Sequence, residues 1–144
     1  MHIHCTVASP ELLPTYAKPG DAGLDLRANV HTPIRISGMR TELIPTGVRM
    51  AIPTGFVGLV CPRSGHAKNY SVTVGNAPGV IDSGFRGEIC VIVQPHDGNE
   101  LVICHGERIA QLVIVPVVTA SLCIVESLDV TERGEGGFGS TGMV

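Results

Sequence analysis

Short apolar or alternating segments, separated by clusters of turn-forming residues, follow one another along most of the chain. Seven of them have the pattern and length of β-strands: residues 41–52, 56–61, 71–74, 88–93, 101–104, 108–118 and 121–128. The residues between them, such as 53–55, 78–79 and 95–99, are rich in Pro, Gly and Asn. Only residues 64–70 are typical of a helix, with Ser64 as the N-cap. The series predicts an all-β domain, either a small barrel or a jelly-roll-like sandwich.

The composition supports a single β domain with an aliphatic core. The 144 residues fit one domain, and 44% of them are hydrophobic. Eighteen glycines and ten prolines, against 16% charged residues, favour short strands and tight turns over a helical bundle. Trp is absent and aromatic residues make up only 3%, so the core must be aliphatic. We expect a barrel domain over residues 1–132 and, as part of it, a mobile glycine-rich tail over residues 133–144.

Charge, cysteines and targeting signals narrow the classes of function. A formal net charge of -3 provides no basic surface for nucleic acid, so an anionic partner would be small and held by a local cluster. The five cysteines form no Cys-x-x-Cys pair, which predicts buried, reduced thiols rather than disulfides or a zinc site. The sequence contains neither an export signal nor an apolar run of about 18 residues. We therefore expect a cytoplasmic protein that binds neither nucleic acid nor membranes.

Three segments have the residue types of phosphate-binding sites. Residues 62–65, Pro-Arg-Ser-Gly, bring a guanidinium, a hydroxyl and free amides together at a predicted strand-to-helix junction, although for these four residues alone a plain N-cap with a surface Arg is the favoured explanation. The tail adds Arg133 and many glycines, and the alternative for it is a disordered linker. In the third segment, residues 79–87, Asp82 either caps a turn or acts as a general base.

Together these segments resemble the trimeric dUTPase family at all five of its motifs, in the family's order. The motifs correspond to residues 22–26, 62–65, 76–87, 106–112 and 133–142, and the resemblance extends from about Leu13 to Gly142. It implies a distorted jelly-roll-like β-barrel of the β-clip, dUTPase-like type, with one short helix and a flexible C-terminal tail. It also implies a homotrimer in which each active site is shared by three chains.

The resemblance further implies a Mg²⁺-dependent dUTP diphosphatase, which hydrolyses dUTP to dUMP and pyrophosphate. Asp82 would activate the water that attacks the α-phosphorus. Mg²⁺ would be held mainly by the substrate phosphates, with Asp25 contacting it through water. Ser64 would donate to the oxygen that bridges the α and β phosphates, and Gln111 would contact another phosphate oxygen. For Arg108, a structural salt bridge and a phosphate contact remain equal alternatives.

Substrate recognition is carried over in the same way. The remaining residues expected to contact substrate are Arg63, Gly65, Asn76, Gly79, Val80, Ile81, Phe85, Cys90, Arg133, Phe138, Gly139, Ser140 and Thr141. Of these, the residues from 76 to 81 and the main chain of Cys90 would recognise uracil. Phe85 stands where the family has a Tyr that excludes a 2′-hydroxyl, so exclusion should persist by bulk alone. Phe138 would stack on uracil, Arg133 would reach the γ-phosphate, and Gly139, Ser140 and Thr141 would close over it.

Two alternative functions remain. A dCTP deaminase-like enzyme shares this fold, but it needs a Glu at the position that Ile92 occupies here. The other alternative is a non-catalytic, nucleotide-sensing trimer, which the fold alone would allow.

Overall fold

The computed structural model describes residues 1–38, 40–96, 98 and 100–137, and within them the chain forms ten short strands. In order they are β1 His4–Val7, β2 Gly23–Arg27, β3 Ile34–Ile36, β4 Glu42–Ala51, β5 Phe56–Cys61, β6 Val72–Val74, β7 Gly79–Ile81, β8 Ile89–Pro95, β9 Leu101–Ile103 and β10 Arg108–Pro116. A 3₁₀ turn at Pro10–Leu12 and one α-helix, α1 Ser64–Tyr70, complete the elements. The predicted all-β class with one short helix is confirmed.

The strands pair antiparallel in two four-stranded sheets and one two-stranded ribbon. The first sheet has the order β1-β4-β8-β6, the second β2-β10-β5-β7, and the ribbon joins β3 to β9. Among the described residues these ladders do not close into one continuous barrel. No helix in the same residues is long and apolar enough to cross a membrane.

The core is aliphatic, as the lack of aromatic residues predicted. Strands β4 and β8 alternate buried and accessible positions, which is the period of two expected for a sheet with one buried face. Ile44 and Val48 of β4 pack with Ile89, Val91 and Val93 of β8 in one buried cluster. The buried Thr46 donates its hydroxyl hydrogen to the carbonyl oxygen of Ile89, so its polar group is satisfied.

The helix forms where the sequence predicts it, but Ser64 is not its cap. Arg63 occupies the N-cap position in extended backbone geometry, and no side chain caps the helix. Ser64 is the first helical residue, so its hydroxyl is not committed to the amides of the first turn. The helix ends at Tyr70, and Ser71 follows in the left-handed conformation with φ 51°.

The strand predicted at residues 121–128 is wrong. Every residue from 121 to 130 is exposed and none is assigned to a strand. The segment has the apolar pattern of a strand but pairs with no other strand of the described chain. Conversely, the sequence patterns did not indicate β2, β3 or β7, which have only five, three and three residues.

The cysteines are unpaired, as expected, but they are not buried. Cys5, Cys104 and Cys123 are exposed, while Cys61 and Cys90 are partly buried. An apolar sequence context therefore misled the prediction. In β8, Cys90 occupies one of the partly accessible positions that alternate with buried Ile89 and Val91.

Candidate functional site

Strand β10 brings three of the five motifs side by side. Gln111 lies at the centre of this arrangement, because it pairs with Asp25 on β2 and with Cys61 on β5. The chain leaves β5 at Cys61 and passes through Pro62 and Arg63 into the N-terminus of α1. Residues from motifs one, two and four therefore meet at one end of the second sheet.

Asp25 holds two arginines at this end of the sheet. Its Oδ1 accepts a hydrogen bond from Nε of Arg63 at 2.9 Å, and its Oδ2 accepts one from Arg108 at 3.4 Å. The Asp25 side chain is only 11% exposed, so its charge requires such partners. Of the two roles considered for Arg108, the salt bridge is present in the structure.

Gln111 is oriented by Pro62 and by the absence of a side chain at Gly23. Its Nε2 donates to the carbonyl oxygen of Pro62 at 2.9 Å. A Cβ atom added to Gly23 would overlap Oε1 of Gln111 and lie 3.0 Å from its Cδ. Glycine at position 23 thus leaves the space that the amide of Gln111 occupies.

These side chains border an open cavity of about 440 Å³. Its walls are Ala17, Asp21, Ala22, Gly23, Asp25, Arg63, Ser64, Gly65, Gln111 and Val113. A guanidinium, a hydroxyl and the first amides of α1 converge there, which is a combination that binds phosphate oxygens. The sequence did not single out Gly23 as a site residue, although its spacing of two from Asp25 on one strand places both residues on the same face.

The donor set of the cavity suits a Mg²⁺ ion that is held mainly by a ligand. Mg²⁺ is commonly bound through one or two carboxylates, several waters and substrate phosphates. Asp21 and Asp25 are the two carboxylates in the cavity wall, and both oxygens of Asp25 already accept hydrogen bonds from arginines. Among the described residues no group of three or more His, Cys, Asp or Glu side chains forms a metal site by itself.

A second cavity, of about 450 Å³, lies on the other side of Arg63. Its walls are Arg27, Arg63, His66, Tyr70, Leu101, Val102, Gly106, Glu107 and Arg108. The rings of His66 and Tyr70, one helical turn apart, meet edge to face at 5.9 Å between centroids. Partial burial and then the nearby charge of Arg63 lower the pKa of His66. The sequence analysis did not identify His66.

The third motif forms a tight turn that carries Asp82 and Phe85. The backbone amide of Phe85 donates to the carbonyl oxygen of Asp82 at 3.0 Å, and the Asp82 side chain is exposed. Arg86 donates through one terminal nitrogen to the carbonyl oxygens of Ser83 and Phe85, both at 2.7 Å. Asp82 therefore lies in a turn that is closed by its backbone carbonyl, and its carboxylate is accessible to a ligand.

All but one of the residues expected to recognise uracil lie on or just before β7, the strand that leads into this turn. A Cβ atom on Gly79 would meet Nδ2 of Asn76 at 3.2 Å, so the amide of Asn76 lies against Gly79. Val80 is exposed and Ile81 is partly buried on the edge strand β7. Cys90 lies on another sheet, paired with Pro45 of β4. Burial raises the pKa of the Cys90 thiol.

Within one chain the third motif lies apart from the cavity. The cavity wall is made of residues from 17–25, 63–65 and 111–113, and residues 76–87 contribute nothing to it. In the second sheet β7 is the third strand from β2, roughly 14 Å away at about 4.8 Å per strand. Ile81 also pairs with Gly58, three residues along β5 from Cys61. Asp82 and Ser64 of the same chain therefore extend from opposite ends of the β5–β7 pair, and only Ser64 lines the cavity.

Part of the fifth motif is described. Nε of Arg133 donates to the carbonyl oxygen of Gly136 at 3.0 Å, within a local turn. The expected contacts of Phe138, Gly139, Ser140 and Thr141 lie outside the described residues.

The comparisons with known proteins agree with this geometry. A family model described as dUTPase matches residues 10–142. The deoxyuridine 5'-triphosphate nucleotidohydrolase of Cutibacterium acnes is 53% identical over 139 residues, which cover 96% of this chain and 90% of the relative. The structure of Staphylococcus bacteriophage 80alpha dUTPase with dUPNHPP matches with a TM-score of 0.87 at 29% identity, covering 98% of each chain.

A fourth comparison concerns the fold alone. The dUTPase of the S. aureus phage phi11 matches with a TM-score of 0.78 at 23% identity, covering 90% of this chain and 100% of that one. The structure of that mutant enzyme is described as revealing the coordination of a structural Mg(II) ion.

Proposed function

The chain belongs to the dUTPase family, and from that premise we propose that it hydrolyses dUTP to dUMP and pyrophosphate. The observation that carries the proposal is the cavity in which Arg63, Ser64, Gly65 and Gln111 converge beside Asp25. The cavity gathers cationic and neutral hydrogen-bond donors on one side, which suits a triphosphate. During hydrolysis negative charge builds up on the leaving pyrophosphate, and these donors would stabilise it. Catalysis by this enzyme then consists largely of positioning the phosphates.

Each cavity residue would make a different contact with the triphosphate. Ser64 is free of any capping role, so its hydroxyl is available to donate to the oxygen between the α and β phosphates. Gly65 offers an amide of the first helical turn, and Gln111 offers the second hydrogen of its amide, since the first is bound by Pro62. Arg63 adds a positive charge at the same place while Asp25 fixes its orientation.

Mg²⁺ is the proposed cofactor. Bound to the phosphates, it would neutralise charge and orient the chain of phosphates for attack. Asp25 would contact the ion through water, because its two oxygens already serve the arginines, and Asp21 provides a further carboxylate in the same wall.

Asp82 is the proposed general base and Phe85 the proposed guard of the 2′ position. The exposed carboxylate of Asp82 has no arginine or lysine within ion-pair distance among the described residues, which favours proton acceptance over a structural role. Phe85 is 41% exposed in the same turn, so its ring is available to pack against the sugar. The hydrogen bond between the backbones of Phe85 and Asp82 ties the positions of base and guard to each other.

We infer a homotrimer with shared sites, supported by two features of the single chain. The first is that the Asp82 turn does not line the cavity of its own chain, so the turn of a second chain would complete each site. The second is the exposed segment 117–130, where Val118, Leu122, Ile124, Leu128 and Val130 are each at least 83% exposed. An apolar segment of this size normally packs against another chain.

A pyrophosphate-release assay with dUTP, dCTP, dTTP and UTP tests the proposed activity. We expect release from dUTP with Mg²⁺ and little from the other three. The Asp82→Asn variant keeps size and hydrogen bonding but loses basicity, so its kcat should fall about a hundredfold or more while dUTP still binds. Ammonia measured in the same reactions tests the deaminase alternative. Binding of dUTP without hydrolysis by the wild type would favour the nucleotide-sensing alternative instead.

A further inference from the structure

The ring of Phe85 lies directly over Gly87. A Cβ atom added to Gly87 would come within 2.5 Å of Cζ, 2.8 Å of Cε2 and 3.4 Å of Cε1 of Phe85. The outer edge of the ring therefore occupies the space that any other residue at position 87 would fill. Gly87 is not among the glycines with positive φ, so its backbone tolerates a side chain and the requirement for glycine here is steric.

The backbone that carries this ring is fixed from both sides. The amide of Phe85 donates a hydrogen bond to the carbonyl oxygen of Asp82, and the carbonyl oxygen of Phe85 accepts one from Arg86. The same nitrogen of Arg86 also reaches the carbonyl oxygen of Ser83. With the main chain held in this way, the remaining freedom of Phe85 is rotation of its side chain, and the surface of Gly87 limits that rotation.

We propose that Gly87 is a positioning residue for sugar selection, because its lack of a side chain lets the ring of Phe85 lie where the ring excludes a 2′-hydroxyl. The proposal rests on the proposed function, since it assumes that Phe85 guards the sugar. Carbon atoms in contact lie about 3.5–4.0 Å apart, so a methyl group at position 87 would displace the ring edge by roughly 1 Å. A displaced ring loses its contact with C2′ of dUTP and no longer blocks the 2′-hydroxyl of UTP.

The test compares the ratio of kcat/KM for dUTP to that for UTP in matched variants. Gly87→Ala should lower the ratio by roughly ten- to a hundredfold, the cost of misplacing a group by about 1 Å. Gly84→Ala is the matched control, because it adds the same methyl group to the same turn where nothing lies within 4 Å. That control should keep the wild-type ratio.

Double variants separate positioning from general damage to the turn. In a Phe85→Ala background, Gly87→Ala should lower the ratio no further, because there is no ring left to displace. A purely structural role would instead reduce kcat for dUTP and UTP alike and leave the ratio unchanged, which would overturn the proposal. An additive effect of the two substitutions would also overturn it.

The outcomes distinguish this proposal from the one it rests on. If Phe85→Ala lowers the ratio and Gly87→Ala leaves it within twofold of wild type, the role of Gly87 is wrong and the guard role of Phe85 stands. If Phe85→Ala itself leaves the ratio unchanged, the guard role is wrong. Should Gly87→Ala fail to give folded protein, Phe85→Leu combined with Gly87→Ala should restore folding by relieving the overlap. Failure of that rescue would overturn the proposal.

Discussion

The carboxylate of Asp25 and the guanidinium of Arg63 form an ion pair, with 2.9 Å between Oδ1 and Nε, in the wall of the cavity that Ser64 and Gln111 also line. The pair joins motif one to motif two. It orients Arg63, which borders both this cavity and the neighbouring cavity around His66. A metal ion that interacts with Asp25 would therefore meet a carboxylate whose negative charge already pairs with Arg63 and Arg108.

Replacing Asp25 with Asn should affect stability and Mg²⁺ dependence together. Asn cannot supply a charge to Arg63 and Arg108, and its amide presents hydrogens toward one of them. We expect a loss of about 1–3 kcal/mol in unfolding free energy, the range for a buried polar group left without its partner. The Mg²⁺ concentration for half-maximal activity should also rise. Urea unfolding and a Mg²⁺ titration measure the two effects.

Asp21→Asn is the matched control for that variant. Asp21 lies in the same cavity wall but is exposed, and it accepts a hydrogen bond from the amide of Lys18. Its isosteric replacement should change the unfolding free energy by less than about 1 kcal/mol. Equal destabilisation by the two substitutions would contradict the role given to the Asp25 ion pairs.

Gly23→Ala should displace Gln111 from its position. The new methyl group overlaps the Gln111 amide, and overpacking of this kind costs about 1–3 kcal/mol. Both thermal stability and kcat should fall. In a Gln111→Ala background the same substitution should no longer reduce stability, because the space is then free. If stability falls equally in both backgrounds, Gly23 does not act through Gln111.

Histidine 66 should make stability depend on pH in mildly acidic solution. Burial and Arg63, with a smaller contribution from Arg108, lower its pKa below 6.5 in the folded chain, against opposing effects of Glu107 and Asp25. As the pH falls, the unfolded chain binds the proton first. The contribution of this residue is therefore complete above about pH 6.5 and declines as the pH falls from there toward the folded pKa.

His66→Gln should remove that part of the pH dependence. Urea unfolding of wild type and variant across pH 5 to 8 measures it, with the two curves expected to diverge in slope only below about 6.5. His31→Gln, at an exposed position between β2 and β3, is the matched control and should keep the wild-type slope. A variant curve parallel to that of the wild type would contradict the prediction.

Removing every residue after Glu132 should abolish turnover while the domain still folds. The deletion takes away Arg133 and the rest of motif five, and none of the core residues that the structure describes lies after Glu132. We expect nearly unchanged thermal stability and a kcat lowered by roughly a hundredfold or more, since a closing segment positions the phosphates. Affinity for dUTP should fall much less.

Proteolysis provides an independent readout of the tail. The tail should be cut readily in the free protein and protected by a non-hydrolysable dUTP analogue with Mg²⁺. Full activity after truncation, or equal protection with and without ligand, would refute the closing role of the tail.

The sequence predicted the long strands and the three-residue strands β6 and β9, but it missed β2, β3 and β7. β4 and β8 carry seven or more residues with a clear period of two, so burial alternates as the pattern indicates. The three-residue strands β3 and β7 are defined by their partners β9 and β5, and three residues show no periodicity of their own. Residues 121–128 gave the opposite error, because pairing with another strand decides whether an apolar segment becomes a strand.

For the site, the residues with functional chemistry could be predicted from the sequence, but the glycines that leave space for them could not. Arg63, Ser64 and Gln111 have chemistry that a motif reveals, and the structure places them in one cavity. Gly23 and Gly87 act through the space they leave for Gln111 and Phe85, and that space depends on tertiary packing. The N-cap assignment of Ser64 was wrong by one residue, within the usual uncertainty of helix boundaries.

The separation of the Asp82 turn from the cavity lined by Ser64 and Gln111 within a single chain has a genetic consequence. Under the proposed assembly, a chain with Ser64→Ala still supplies an intact turn, and a chain with Asp82→Asn still supplies an intact cavity. Two alleles that are each inactive should therefore complement one another when their products mix. With equal amounts of both, roughly a quarter of the sites would combine two intact parts by chance. A chain in which both the turn and the cavity are disabled could not be complemented in this way by either single variant.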